Sequence, residues 1–152
     1  MTRTLQEWMG RFLVDLELRN FSERTTIGYR CNLGHLKRFL EKQGVKTLSA
    51  ITPEVMAGFQ RWIFYLPSYR RFLKPTKLPR TVANQNRIML NAKAFFGFLQ
   101  KEGLLAQNPA EAIQLAREPQ PLPKNIFTPE EAKKVIESVD ISNSLGYRDR
   151  TI

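Results

Sequence analysis

Apolar residues recur at helical spacing along most of the chain, and local capping signals divide this pattern into separate helices. Thr4 and Glu7 have the spacing of a capping box, and the apolar stripe that follows predicts a first helix to about Leu18. Ser22 is the expected N-cap of a second helix, whose stripe ends before Gly44. The N-terminal part of the chain is therefore predicted to form two helices.

A third helix is predicted to begin at Thr52 and Pro53, because the threonine hydroxyl can cap the first turn and that turn does not need the N–H that proline lacks. Pro67 is expected to stop this helix. Three prolines and four cations in residues 67–79 then predict an extended basic loop.

The fourth helix is predicted to start at Pro79 or Arg80 and to run to Glu102, with Gly103 as the left-handed residue that ends it. A short fifth helix is expected over residues 108–115. No segment of useful length alternates apolar and polar residues, so no strand is predicted, and no internal repeat is present.

A proline-rich segment, residues 117–125, predicts a stiff linker. A second capping box at Thr128 and Glu131 then predicts a tail helix over 129–139. Its apolar stripe is expected to pack on the chain's own core or on a neighbouring chain, and it comprises Ala132, Val135, Ile136 and Val139. The sequence thus predicts an all-α bundle of four to five helices with a linker and a helical tail. The expected boundaries are 1–116, 117–126 and 127–152.

The composition favours a packed core and excludes several kinds of site. Hydrophobic residues make up 42% of the chain, which is enough for a globular core. Because Cys31 is the one cysteine and His35 the one histidine, neither an intramolecular disulfide nor a Cys/His zinc site can form. The two residues lie four apart and could share a metal, but no third ligand is near. No metal or other cofactor is expected.

The positive charge is concentrated in the middle of the chain. The whole sequence has a formal net charge of +10. Residues 19–101 hold 16 Lys and Arg but only three acidic residues, a net +13, and residues 55–101 hold no acid. A solvated surface normally mixes both signs, whereas a field of one sign favours a polyanionic partner. The sequence therefore predicts binding to nucleic acid.

The outer face of the fourth helix carries side chains suited to reading DNA. Arg and Asn can pair with guanine and adenine edges in the major groove. Spacings of 4, 3 and 4 place four such residues on one face: Arg80, Asn84, Arg87 and Asn91. Any amphipathic helix has a polar outer face, but this helix contains no acid before Glu102.

The second helix and the basic loop extend this candidate surface. The polar face of the second helix comprises Arg24, Cys31, His35, Arg38 and Lys42, with Arg30 and Lys37 at its flanks. The loop adds cations that fit phosphate contacts, although solvation is the common alternative for each: Arg70, Arg71, Lys74 and Lys77.

The remaining patterns give no active site. Three aromatic residues fall on or beside the inward stripe of the fourth helix and are expected in the core rather than stacked on bases: Phe95, Phe96 and Phe98. Carboxylates are too sparse in the basic region for paired acid/base chemistry, and neither a glycine-rich phosphate loop nor a nucleophile elbow is present. The sequence chemistry therefore indicates binding.

Several stretches resemble, in order and spacing, the N-terminal half of tyrosine recombinases, the phage-integrase and Xer-like site-specific recombinases. They are FSERTTIGYRCNLGHLKRFLEKQG, LPRTVANQNRIMLNAKAFFGFLQKEGLLAQNPA, LPKNIFTPEEAKKVIESV and LGYRDRTI. The resemblance covers nearly the whole chain. It implies a SAM-like core-binding domain that grips one face of DNA through its second and fourth helices, while a catalytic domain closes from the other side.

The resemblance also assigns individual residues. The family pattern matches Thr25 and Tyr29 in the second helix, Thr81 and Arg87 in the fourth helix, and Lys124 in the linker. Two positions depart from it: Leu78 stands where a capping serine is usual, and Gly97 where a basic residue is common.

The family's catalytic residues lie beyond the helix that RDR begins, so the resemblance maps none of them here, and Tyr147 does not match the nucleophile. The chain is therefore expected to be a binding half without a reaction centre, as an expressed fragment or a natural truncation. Its parent is expected to transfer DNA strands together with other recombinase protomers.

The leading hypothesis is thus the DNA-binding module of a recombinase. Two alternatives are a stand-alone helical DNA-binding regulator and an adaptor whose basic surface meets an acidic protein. No run approaches the roughly 18 apolar residues of a membrane span, and the N-terminus does not resemble a secretory signal. The protein is expected in the cytoplasm, on the nucleoid when bound to DNA, without a membrane or small-molecule partner.

Overall fold

The computed structural model describes residues 4–68, 76–119 and 127–151, without the side chains of 68, 76–79 and 151. The chain divides into two compact units, Met1–Glu118 and Pro119–Ile152.

Four long helices dominate the first unit. They are α1 (Leu5–Leu18), α2 (Glu23–Lys42), α3 (Pro53–Phe64) and α4 (Val82–Lys101), with a short 3-10 helix at Leu48–Ala50. The Thr4 hydroxyl accepts a hydrogen bond from the Glu7 N–H while the Glu7 carboxylate accepts one from the Thr4 N–H, as the capping-box pattern predicts. Gly44 and Gly103 follow α2 and α4 with φ of 70° and 72°, a conformation that costs glycine little. The predicted all-α fold class is confirmed.

The connection before α4 differs from the expected loop. Strands β1 (Pro67–Ser68) and β2 (Thr76–Pro79) pair antiparallel, with Pro67 opposite Pro79. Because β2 extends to Pro79, α4 begins at Val82 with Thr81 as its N-cap. The predicted start at Pro79 or Arg80 was therefore two to three residues too early.

The expected fifth helix is wrong. Residues 109–112 form a turn, and residues 113–119 have no regular secondary structure. The Asn108 side-chain amide donates to the Lys93 carbonyl at 3.0 Å, and its Oδ1 accepts from the Ala110 N–H at 2.9 Å. These bonds fasten the turn to α4 and give its backbone a partner outside a helix.

Aromatic side chains from the four helices build the core of the first unit. Phe12 of α1 packs with Phe95 of α4 at a centroid distance of 5.6 Å, and Phe59 of α3 packs with Phe39 of α2 at 5.4 Å. Phe95 and Phe96 are fully buried, and Phe98 packs against the same core. The prediction that the aromatics of the fourth helix belong to the core is confirmed.

The second unit contains α5 (Pro129–Glu137) and α6 (Ser144–Thr151). The predicted capping box of α5 is present, since Thr128 and Glu131 exchange side-chain hydrogen bonds with each other's N–H groups. Val135 and Ile136 are each 51% exposed within the chain, whereas Ala132 and Val139 are half-buried, so the expected packing of this stripe stays a prediction. Among the described helices, none is long and apolar enough to cross a membrane.

Candidate nucleic-acid interface

Helices α2 and α4 pack against each other in the first unit, which brings their outward surfaces into one region. Four arginines with exposed side chains lie on these two helices: Arg24, Arg30 and Arg38 on α2, and Arg87 on α4. We refer to them as the exposed arginines. All four were predicted from the sequence as DNA-binding residues.

The exposed arginines differ in their ion pairing from four other cations of the first unit. Within the described residues, none of the four forms an ion pair. Four other cations, which we call the paired cations, do form ion pairs: Arg11 with Glu102, Arg19 with Asp15, Lys37 with Glu41 and Lys93 with Glu111. Because α4 contains no acidic residue, no carboxylate of this helix reduces the positive electrostatic potential of the exposed arginines.

The start of α4 holds three of the predicted residues in one hydrogen-bonded arrangement. The Thr81 hydroxyl accepts from the Asn84 N–H at 3.3 Å as the N-cap. The Arg80 Nη1 donates to the Asn84 Oδ1 at 3.0 Å, and the Gln85 side chain donates to the Arg80 carbonyl at 2.7 Å. Arg80 and Asn84 therefore orient each other, and both are half-buried.

His35 is less exposed than the sequence pattern indicated. Its ring lies 6.4 Å from that of Trp62 on α3, and the residue is half-buried. Burial first, and then the positive charges of Arg80 and Arg38, lower the pKa of His35 to about 4. The imidazole is therefore neutral at pH 7, where it can donate or accept hydrogen bonds but adds no charge.

The two α2 residues assigned by resemblance have structural contacts. The Thr25 hydroxyl lies 2.8 Å from the hydroxyl of Ser22, the N-cap of α2. The Tyr29 ring meets the Phe12 ring edge to face at 5.5 Å and packs against the core. Both side chains are half-buried.

Asn91 is a correction to the predicted face. Its exposed fraction is 9%, so it does not lie on the outward surface of α4. The exposed residues of this helix include Ala83, Arg87, Leu90 and Ala94. The exposed face is therefore rotated around the helix axis by about one residue relative to the predicted face. Since α1, α2 and α3 all contact α4, much of its circumference is covered, and an asparagine beside the apolar stripe is buried with it.

Asn86 is a buried polar residue that the sequence interpretation missed. Its amide donates to the Ala116 carbonyl at 2.8 Å and to the Glu118 carboxylate at 3.0 Å, and its Oδ1 accepts from the Ala116 N–H at 3.1 Å. Asn86 thus fastens residues 116–118 along α4. Its position outside the predicted polar face was the one available signal.

Five predicted residues cannot be placed in this surface. Arg70, Arg71, Lys74 and Lys124 lie outside the described residues, and Lys77 belongs to β2 but its side chain is not described.

Comparison with known proteins finds similarity to tyrosine recombinases, although no family model matches the chain. It is 26% identical over 148 residues to tyrosine recombinase XerC 2 of Ralstonia nicotianae, which covers 97% of this chain and 41% of that protein. It is 27% identical over 150 residues to tyrosine recombinase XerC of Bacillus licheniformis, which covers 97% and 45%. The chain therefore spans somewhat under half the length of these relatives.

Solved structures show the same fold. A lambda integrase dimer bound to a COC′ core site matches with a TM-score of 0.60 and 20% identity, over 93% of this chain and 45% of that one. A lambda integrase tetramer bound to a Holliday junction matches with a TM-score of 0.60 and 20% identity, over 94% and 37%. The resemblance stated from the sequence motifs is confirmed: this chain is related to the tyrosine recombinases and has the helical fold found in lambda integrase.

Proposed function

We propose that the chain contains the DNA-binding portion of a site-specific tyrosine recombinase, and that its first unit holds duplex DNA through the outward surfaces of α2 and α4. One observation carries the proposal: the exposed arginines lie on two adjacent helices and form no ion pair within the described residues. Their arrangement suits an anionic partner that supplies the missing negative charge. The relatives and the DNA-bound integrase structures support duplex DNA as that partner.

In this proposal the two helices contribute differently. The three exposed arginines of α2 neutralise backbone phosphates, which positions the duplex without selecting a sequence. Arg87, on the outward face of α4, enters the major groove, where a guanidinium can pair with O6 and N7 of guanine. Arg80, Thr81 and Asn84 extend the surface at the start of α4. The basic connection adds phosphate contacts through Arg70, Arg71, Lys74 and Lys77, and the linker adds one through Lys124.

The second unit is proposed to begin the catalytic domain, so strand cleavage belongs to the whole recombinase and its partner protomers. A protein made of these 152 residues is expected to leave DNA uncleaved, because the resemblance places no catalytic arginine or nucleophile among them. Incubation with nicked suicide substrates, followed by denaturing electrophoresis, measures this. A covalent adduct on any tyrosine, including Tyr147, would contradict this assignment.

Equilibrium binding to a duplex as a function of salt tests the function itself. Each phosphate contact should contribute a slope of about 0.9 in a plot of log affinity against log salt, so affinity should fall steeply between low and physiological salt. An affinity that does not change with salt would contradict the proposal. Preference for one defined duplex over random duplex would exclude the protein-adaptor alternative. Absence of any such preference would favour the adaptor.

A further inference from the structure

The exposed face of α4 carries one large apolar side chain beside one cation. Before the last turn of the helix, this face consists of Ala83, Arg87, Leu90 and Ala94. Spacings of 4, 3 and 4 place these residues within about 60° of the helix circumference. Leu90 is 49% exposed. Single exposed leucines are common on protein surfaces, but this one lies one turn from Arg87 on a helix that contains no acidic residue.

Polar residues with partners inside the chain border this face on both sides. On one side, Asn84 accepts a hydrogen bond from Arg80 at 3.0 Å. On the other side, Lys93 donates to the Glu111 carbonyl at 3.0 Å. Most of the remaining circumference is buried, and α1, α2 and α3 all contact the helix. The exposed face is therefore a narrow stripe along the helix.

The dimensions of the stripe favour DNA over a protein as its partner. Eleven residues of α-helix rise about 16 Å, and 60° of the circumference over that length has an area on the order of 100 Å². Each partner of a standard protein–protein interface buries about 800 Å². The major groove of DNA, in contrast, is about 12 Å wide and admits a single α-helix.

An apolar side chain in the major groove distinguishes thymine from the other bases. Thymine alone presents a methyl group there, at C5, and apolar side chains pack against it. At a cytosine, Leu90 would meet no methyl group and would leave the N4 amine without a hydrogen-bond partner. A leucine at this position therefore favours thymine.

Leu90 also lies at a suitable distance from Arg87. Three residues of α-helix advance about 4.5 Å along the axis, and successive base pairs are about 3.4 Å apart. Ala83 and Ala94 each end in a methyl group, so no long side chain at either end of the stripe holds the helix away from the base edges. Both residues can therefore contact the same short segment of DNA.

We propose that Leu90 packs against the C5 methyl group of a thymine, one or two base pairs from the guanine that Arg87 contacts, and thereby determines part of the target sequence. The inference rests on the proposed function, since that function places α4 in the major groove. The contact involves no charge. The preference for thymine therefore persists at salt concentrations that weaken the phosphate contacts of α2.

Replacing thymine with uracil tests the contact, because it removes the C5 methyl group and nothing else. The full chain is first used to select preferred duplexes from a random pool, and each thymine of the selected sequence is then replaced singly with uracil. One of these uracils should lower the affinity of the wild type by about three- to fivefold, as expected for the loss of one buried methyl group.

Two variants assign the effect to Leu90. Leu90→Ala should bind the thymine duplex and this uracil duplex equally, because the methyl group no longer has its contact. Leu18→Ala changes a leucine of α1 that is 82% exposed, and it should retain the full difference between the two duplexes. Circular dichroism checks that both variants are folded.

The inference and the proposed function fail through different results. Unchanged wild-type affinity at every uracil, or the same loss in Leu90→Ala as in the wild type, overturns the thymine contact but leaves duplex binding by α2 and α4 intact. A selection that yields no preferred sequence also overturns it, and Leu90 would then be available to a protein rather than to a base. Absence of any duplex binding by the wild type contradicts the proposed function instead.

Discussion

Two groups of cations in the first unit share residue types but differ in their surroundings. The paired cations lie near acidic partners at 3.2 to 3.8 Å, and several have further contacts: Lys37 donates to Gln6 at 2.7 Å, and Lys93 donates to the Glu111 carbonyl at 3.0 Å. The exposed arginines have no such acidic partners within the described residues. A count of Lys and Arg cannot distinguish these groups, because what differs is the placement of the acids.

The largest effect is expected between two variants of equal net charge, one for each group of cations. Replacing the four exposed arginines with glutamine (R24Q, R30Q, R38Q, R87Q) should lower the salt slope of duplex binding by about 3, because the three α2 arginines contact phosphates and each contact contributes about 0.9 to that slope. Affinity should fall by more than about a hundredfold at low salt, since the base contact of Arg87 is lost as well. Replacing the four paired cations with glutamine (R11Q, R19Q, K37Q, K93Q) removes the same charge but should leave the slope nearly unchanged.

Fluorescence anisotropy over a series of salt concentrations measures both variants, and circular dichroism checks that both are folded. Exposed ion pairs contribute only about 0–1 kcal/mol each, so the second variant should remain folded. Equal losses in the two variants would mean that net charge, rather than the surface of α2 and α4, determines binding.

A single substitution sharpens the comparison on α4. Arg87→Ala should weaken binding to the preferred duplex by about 1–3 kcal/mol and relax its sequence preference if Arg87 contacts a base. Asn91→Ala should alter neither, because Asn91 is buried although the helical spacing placed it beside Arg87. Competition assays with single-base changes in the duplex provide the measurement. Relaxed preference in Asn91→Ala would restore the face predicted from the sequence.

A third substitution on the same helix tests a residue that stabilises the fold. Asn86→Ala removes three hydrogen bonds that hold residues 116–118 against α4, and loss of buried polar partners costs about 1–3 kcal/mol. The free energy of unfolding should fall by about that amount in denaturant titrations, while the duplex affinity of the folded protein should stay within about twofold of the wild type. Lys93→Gln is the control and should cost at most about 1 kcal/mol. A large loss of affinity in folded Asn86→Ala would place DNA contacts on this flank.

The contrast between Arg87 and Asn91 also shows what the sequence could predict. Helix caps were predictable because their bonds join residues three apart, as in Thr4 with Glu7 and Thr128 with Glu131. The fraction of the α4 circumference that is buried was not predictable, because it depends on how many other elements surround that helix. The turn after Asn108 was missed for a related reason: its side chain bonds to Lys93, fifteen residues earlier. Arg24 and Arg38 of α2 needed no such information, since their positions lie far from the apolar stripe.

The smallest expected effect concerns acid stability and involves one exposed arginine. The pKa of His35 is about 4 in the folded chain, compared with an ordinary value of 6.5. At pH values between these two, the imidazole is protonated in the unfolded chain and neutral in the folded chain. Stability is therefore expected to fall as pH decreases from about 6.5 to about 4, by about 1 kcal/mol after allowance for the partial exposure of the ring.

Urea unfolding followed by circular dichroism at pH 7 and pH 5 measures this difference. His35→Gln should remove it, Arg38→Gln should reduce it because one of the two repelling cations is gone, and Arg11→Gln, a paired cation of α1, should leave it unchanged. An identical pH dependence in the wild type and His35→Gln would show that protonation of this ring does not contribute to acid sensitivity, and the change would then arise from the carboxylates alone.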